Sequence, residues 1–224
     1  MSPKIHITLE GNIGAGKSTI LSKLYEHFGI DRGINYAWEP LEEWDANCFL
    51  EGMYSGKIAN AEFQSMILSS MFYETFNGLS SSEILLQERS MDAAFEVFTK
   101  ANITSPTSFN LIKYSYNKFK LLLKNAYSIN TYRIYLRLPP HISFSRISKR
   151  SRTYETSVSQ DYLNNINNAY EEWLCFAETK TEATKIIYID ASRDINDVTK
   201  DVIQAITTIL KNNLSPKQLF ASKK

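Results

Sequence analysis

An α/β fold, a five-stranded parallel sheet flanked by helices, follows from three features of the 224-residue chain. Short apolar runs alternate with longer stretches of helical periodicity, the pattern of strand–helix units wound into a parallel sheet. A glycine-rich turn stands between the first apolar run and the first helical stretch. The composition, 43% hydrophobic and 22% charged, is that of an ordinary globular protein, and the length suits one domain with a sizeable core.

The chain opens with a strand over Ile5–Leu9, followed by the glycine-rich turn. Ile20, Leu21, Leu24, Tyr25 and Phe28 then recur at helical spacing until Gly29 stops the helix. Further strands are predicted at Asn35–Trp38, Ile84–Gln87, Tyr132–Leu138 and Lys185–Ile189. Between them, helical patterns run over Ala59–Phe76, Asp92–Asn102, Ser108–Ala126, Ile142–Lys149, Gln160–Glu178 and Asn196–Leu210. The long helical insertions predict a helical layer covering one end of the sheet. Residues 1–213 read as a single domain with an arginine-rich lid at about 146–158, and 214–224 as a loose, basic tail.

Several function classes are disfavoured at once. No apolar run approaches the ~20 residues that span a bilayer, and the N-terminus lacks a signal-peptide core. Cys48 and Cys175 have no metal-ligand spacing and are too few for a disulfide framework, so a reduced, cytoplasmic protein with no membrane partner is expected. His6, His27 and His141 are scattered, which argues against a histidine metal site. The net charge of +1 conceals a segregation: the 58 residues from Val97 to Tyr154 hold eleven Lys/Arg and no acid. The rest of the chain carries 14 basic and 24 acidic residues. A solvated basic face, a nucleic-acid patch and a phosphate clamp are all open for that segment.

Gly11-Asn12-Ile13-Gly14-Ala15-Gly16-Lys17-Ser18, followed by Thr19, matches the phosphate-loop pattern G-x-x-x-x-G-K-[ST]. It lies after a strand and before a helix, where the mechanism needs it. Glycines let backbone N–H groups turn inward around phosphate oxygens, and the helix N-terminus adds its positive end. Lys17 supplies charge to the β/γ phosphates, and the Ser18 hydroxyl can ligate Mg²⁺. Nucleotide binding follows. A GTPase would carry Asn-Lys-x-Asp, and Asn117-Lys118-Phe119-Lys120 lacks the Asp. A motor ATPase strand usually ends in Asp, whereas Ile84–Gln87 runs into Glu88-Arg89-Ser90.

Trp38-Glu39-Pro40 closes the second strand. Glu39 thus stands at the carboxyl end of a strand, the edge where open α/β sheets bind ligands. A carboxylate beside a phosphate loop repels phosphate, but it can take a proton from a hydroxyl nucleophile. Position alone leaves a solvated surface glutamate equally open.

These residues and motifs, in their order, resemble the deoxyribonucleoside kinase family. The motifs are Gly11 to Thr19, Glu39-Pro40 with Trp44, Phe63-Gln64, Glu88-Arg89-Ser90, the Arg146/Arg150/Arg152/Glu155 cluster, and Tyr162-Leu163 leading to Trp173-Leu174. The resemblance covers nearly the whole chain. It implies a P-loop kinase that transfers the γ-phosphoryl group of ATP, with Mg²⁺, to a deoxynucleoside 5′-hydroxyl. It also implies a homodimer whose partners are small molecules rather than nucleic acid.

By that resemblance Glu39 is the general base, Arg89 pairs with it on the same hydroxyl, and Glu88 assists Mg²⁺. Phe98 stacks on the base opposite Trp44, and Gln64 reads the base edge. Tyr54 and Glu155 hold the sugar 3′-hydroxyl, and Leu41, Leu50, Met53 and Phe63 line the pocket. Met71 and Ala94 stand where deoxycytidine kinase has an Arg–Asp pair that contacts the cytosine amino group. Thymine presents an O4 acceptor and a methyl group instead, so an uncharged, apolar slot favours thymidine.

Arg146 and Arg150 share a helical face one turn apart, and Arg152 continues into a polar segment. This reads as a lid whose guanidinium groups close over phosphates, for which arginine's bidentate geometry is suited. The family reads adenine from a loop after the last strand, where Asp194-Ile195 falls. The competing readings are a nucleoside monophosphate (thymidylate) kinase and a non-kinase P-loop module that binds nucleic acid.

Overall fold

The protein, described here from a computed structural model, contains a five-stranded, all-parallel sheet in the order β2-β3-β1-β4-β5. The structure describes residues 3–29, 33–152, 155, 157–180 and 184–214. The expected tail at 215–224, the lid positions 153, 154 and 156 and the Tyr54 side chain lie outside the described residues. The strands are β1 (Lys4–Glu10), β2 (Ile34–Ala37), β3 (Ile84–Glu88), β4 (Ile129–Arg137) and β5 (Thr184–Asp190). β1 is central, and its register with β3 runs from Ile5 opposite Ile84 to Leu9 opposite Glu88. That register brings the phosphate loop and Glu88-Arg89-Ser90 to the same carboxyl edge.

Helices cover both faces, as parallel sheets require. On one face Ile5, Ile7 and Leu9 pack with Ile20, Leu21 and Leu24 of α1 (Lys17–Phe28) and with Val198, Val202 and Ile206 of α10 (Ile195–Asn213). On the other, Leu85 packs with Leu68, Met71 and Leu79 of α4 (Asn60–Ser81) and with Ile112 and Tyr116 of α7 (Pro106–Ala126). Local chemistry sets the helix starts. Asp194 accepts a hydrogen bond from the Asn196 N–H at 2.8 Å at the head of α10. Ser105 accepts from Ser108 N–H at 3.3 Å, with Pro106 at the first helical position of α7. α8 (Pro140–Arg150) and α9 (Gln160–Lys180) complete the lid side.

Two departures from the sequence expectation matter for the site. The span Asp92–Asn102 is not one regular helix. It is divided into α5 (Met91–Ala93), a π-helical turn (Ala94–Thr99) and α6 (Lys100–Asn102). The Thr99 hydroxyl donates to the Ala94 carbonyl five residues back, at 2.9 Å, and so braces the wide turn. The second departure is a pair of six-residue helices, α2 (Leu41–Ala46) and α3 (Phe49–Tyr54). Each is too short to display a periodicity.

The inner face of β1 carries a buried polar row: His6, Thr8 and Glu10. His6 Nε2 lies 2.8 Å from Gln87 Oε1, and Arg133 is paired with Asp92, which also accepts from the Tyr116 hydroxyl at 2.7 Å. Burial pushes His6 down to about 4 from 6.5, only partly offset by the Gln87 hydrogen bond. The unfolded chain therefore binds a proton below 6.5 that the folded one refuses until about 4. Stability attributable to His6 is complete above that window and falls as pH drops through it, by on the order of 3 kcal/mol. Urea unfolding of the wild type and of His6→Gln across the window checks this. The variant is expected to lose less stability on acidification, and parallel profiles would refute the assignment.

Candidate active site

The phosphate loop is built by backbone conformations that side chains resist. Gly11 has φ 146°, and a Cβ there would lie 2.8 Å from the Leu136 carbonyl oxygen. Gly16 has φ 92° at the head of α1, and Ile195 packs where its side chain would project. Asn12 turns its side chain away from the loop's concave side: Nδ2 donates to the Leu163 carbonyl at 2.9 Å and Oδ1 accepts from Ile13 N–H at 2.9 Å. It ties the loop to α9. Ala15 is buried in the core, and the Ser143 hydroxyl of α8 bonds the Ile13 carbonyl.

Lys17 is buried, with Nζ donating to the Gly11 and Asn12 carbonyls at 3.1 Å each. Burial, then the nearby Arg89 charge, pulls Lys17 down to about 8, against the opposing pull of Glu88, Glu39 and Glu10. Ser18 donates to Glu88 Oε1 at 2.7 Å. Burial and the Glu39 carboxylate hold Glu88 above the usual carboxylate range. Hydroxyl and carboxylate oxygens side by side are hard donors of the kind Mg²⁺ takes. Among the described residues no cluster of three or more His, Cys, Asp or Glu could form an all-protein metal cage. A metal here would complete its shell with phosphate and water.

Arg89 is the most constrained residue of the site. Its backbone is left-handed, with φ 60°. Its Nε donates to Glu39 Oε1 at 2.9 Å and one terminal nitrogen donates to the Tyr170 hydroxyl of α9 at 2.7 Å. The guanidinium lies 4.2 Å from the centre of the Phe98 ring, which the π turn carries. Burial disfavours the guanidinium charge, but Glu39, Tyr170, Glu10 and Glu88 outweigh it and raise Arg89 above its ordinary value.

A cavity of about 440 Å³ opens beside these groups. Its walls include Lys17, Ser18, Thr19, Glu39, Glu88 and Arg89 together with Leu41, Trp44, Leu50, Met53, Phe63, Gln64 and Phe98. Arg150, Arg152 and Glu155 also reach it. Gln64 is buried, and its Oε1 has no hydrogen-bond partner among the described residues. A buried amide oxygen left open in a cavity wall is an unfilled recognition group. Sequence reading missed Asn60, Ile67, Asn102 and Tyr162 as walls, and Tyr170 as the brace of Arg89.

Other expected site residues are placed elsewhere. Met71 and Ala94 are buried in the apolar cluster of Leu85, Met91 and Phe95, behind the cavity wall rather than on it. Arg146 donates to the Ala191 carbonyl at 2.9 Å and does not reach the cavity. Glu155 does line the cavity but is held by the lid itself, accepting from Arg150 at 2.5 and 3.2 Å with Arg152 at 3.8 Å. Asp194 caps α10, and Ile195 lies against Gly16 at the rim of the loop.

Comparison with known proteins finds relatives that are nucleoside kinases by name. A thymidine kinase of Ictalurid herpesvirus 1 is 29% identical over 206 residues, covering 88% of this chain and 84% of the relative. A probable deoxycytidine kinase of fowlpox virus is 29% identical over 195 residues, covering 84% of this chain and 78% of the relative. The solved structure of a deoxyadenosine kinase from M. mycoides, with dCMP and dCDP bound, superposes with a TM-score of 0.72. It is 24% identical and covers 91% of this chain and 99% of its own, a likeness of fold. No helix among the described residues is long and apolar enough to cross a membrane. The family model for deoxynucleoside kinase matches residues 7–211, and the chain belongs to that family.

Proposed function

We propose that the enzyme transfers the γ-phosphoryl group of ATP to the 5′-hydroxyl of a deoxyribonucleoside, with thymidine favoured. The observation that carries this is one cavity lined both by Lys17, Ser18 and Thr19 and by Trp44, Gln64 and Phe98, with the Glu39–Arg89 pair in the same wall. Trp44 and Phe98 suit the two faces of a base, and the open amide oxygen of Gln64 suits its edge. Glu39 accepts the 5′-hydroxyl proton, Arg89 orients Glu39, and Lys17, Arg150 and Arg152 balance phosphate charge. Glu155 takes the sugar hydroxyl. Ser18 and Glu88 would hold Mg²⁺, which would supply charge neutralisation to the transferring group. Arg146 would serve the phosphates only by leaving the Ala191 carbonyl, and adenine lies toward Asp194-Ile195.

Thymidine preference rests on charge. Met71 and Ala94 leave the layer behind the base uncharged. A carboxylate there would repel thymine O4. A turnover panel of the four deoxynucleosides and dTMP with Mg·ATP tests the reading: thymidine is expected to be the best pyrimidine substrate, and faster turnover of dTMP would make the enzyme a monophosphate kinase. Ala94→Asp alone puts a carboxylate into an apolar cluster, so it needs Met71→Arg as counter-ion. The double variant is expected to move kcat/KM toward deoxycytidine by about tenfold or more. An unchanged ratio in folded protein counts against the pocket assignment.

A homodimer through the α4–α7 face is part of this proposal. Tyr73 of α4 and Leu111, Tyr114, Leu121 and Leu122 of α7 are exposed there, an apolar surface of the kind that marks an interface. Sedimentation as a 25.7 kDa species would exclude it.

A further inference from the structure

We infer that Glu10, the last residue of β1, is a positioning residue for the reaction: it grips the backbone immediately after Arg89 and so aims the guanidinium at Glu39. Glu10 does not line the cavity and is completely buried. Whatever it contributes passes through another residue.

The β1–β3 register ends with Leu9 opposite Glu88. Arg89 N–H adds one more rung, donating to the Leu9 carbonyl at 3.0 Å. There the chain turns through the left-handed conformation of Arg89, which a residue with a long side chain adopts only under constraint. The next N–H, that of Ser90, donates to Glu10 Oε1 at 3.2 Å. The Glu10 side chain thus does the work of a strand carbonyl at a point where the strand has already ended. Ser90 then accepts from Ala93 N–H at 3.0 Å and starts α5. Two successive amides on either side of the Arg89 side chain are therefore fixed to the end of β1.

The second Glu10 oxygen, Oε2, has no hydrogen-bond partner among the described residues. The hold on Ser90 N–H gives the placement a purpose in the proposed reaction, on which the inference rests. When Glu39 accepts the hydroxyl proton, the buried Arg89 loses its nearest counter-charge, and Glu10 remains to hold the turn and the guanidinium in place.

Two conservative variants separate reach from charge. Glu10→Gln keeps an acceptor within reach of Ser90 N–H, whereas Glu10→Asp keeps the charge but retracts it by one methylene. Glu10→Asp is expected to lower kcat by about tenfold with the nucleoside KM changed by less than about threefold. Glu10→Gln is expected to stay within about threefold of wild type. Repeating both in an Arg89→Ala background supplies the readout that a general structural effect would not give: there the Glu10 variants are expected to add less than about twofold. Undiminished effects in that background, a fully active Glu10→Asp, or a Glu10→Gln protein as impaired as Arg89→Ala each overturns the inference. If Glu10→Asp fails to fold, Glu10→Ala, which removes the acceptor from Ser90 N–H, takes its place: it is expected to lower kcat by about tenfold or more, and a fully active Glu10→Ala protein overturns the inference. A fully active Arg89→Ala protein would instead overturn the proposed role of the Glu39–Arg89 pair.

Discussion

Glu39→Gln is expected to lower kcat by about 10²–10⁴ while leaving nucleoside affinity within a few-fold of wild type. The substitution preserves shape and leaves an oxygen that can still accept from Arg89 Nε, now at 2.9 Å from Glu39 Oε1. What it removes is the ability to take a proton. The cavity walls that would contact the base, Trp44, Gln64 and Phe98, are untouched. Binding and chemistry should therefore separate, which calorimetric titration with nucleoside beside steady-state turnover can resolve. A kcat within about fivefold of wild type would remove Glu39 from the role of base and leave it as a hydrogen-bond acceptor for the sugar.

Lys17→Ala should abolish measurable turnover and yet not cost stability. At phosphate-contact distance near a protein surface, one unit charge pair amounts to about 4 kcal/mol, or about 10³-fold in rate. In the nucleotide-free protein that charge is buried against carbonyl oxygens and its ionised form is disfavoured by burial. Deleting it removes a desolvated cation from the folded state. The melting temperature is expected to hold or rise as activity vanishes, the trade between function and stability found at strained sites. A loss of both in parallel would make Lys17 a structural residue, and retained turnover would remove the phosphate loop from the chemistry.

Much of this was legible in the sequence because periodicity and motif agreed. Every predicted strand exists, within a few residues at its ends, and the helices fall between them. What escaped were features that neither signal encodes. α2 and α3 span six residues each and offer too few turns for a pattern. The π turn depends on a side-chain bond from Thr99 to a carbonyl, which composition does not reveal. Glu10 follows directly on the predicted strand, and its partner, Ser90, is 80 residues away, so no local pattern links the two. Tyr170 braces Arg89 across 81 positions and reads in sequence only as one more aromatic on a helix. Conversely, motif position brought Arg146 into the expected phosphate clamp, whereas its hydrogen bond goes to Ala191. Met71 and Ala94 stand one layer behind the wall they were expected to form.

The acid-free stretch ends at Glu155, and that residue is bound by Arg150. In the proposed reaction each member of the pair serves a different substrate: the guanidinium the phosphate, the carboxylate a sugar hydroxyl. A phosphate that takes Arg150 leaves Glu155 buried with only Arg152, 3.8 Å away, and in need of a donor. A hydroxyl that takes Glu155 releases Arg150 in turn. Donor and acceptor would thus each release a group that the other needs. Linkage makes such a coupling reciprocal, so each substrate is expected to lower the dissociation constant of the other by the same factor.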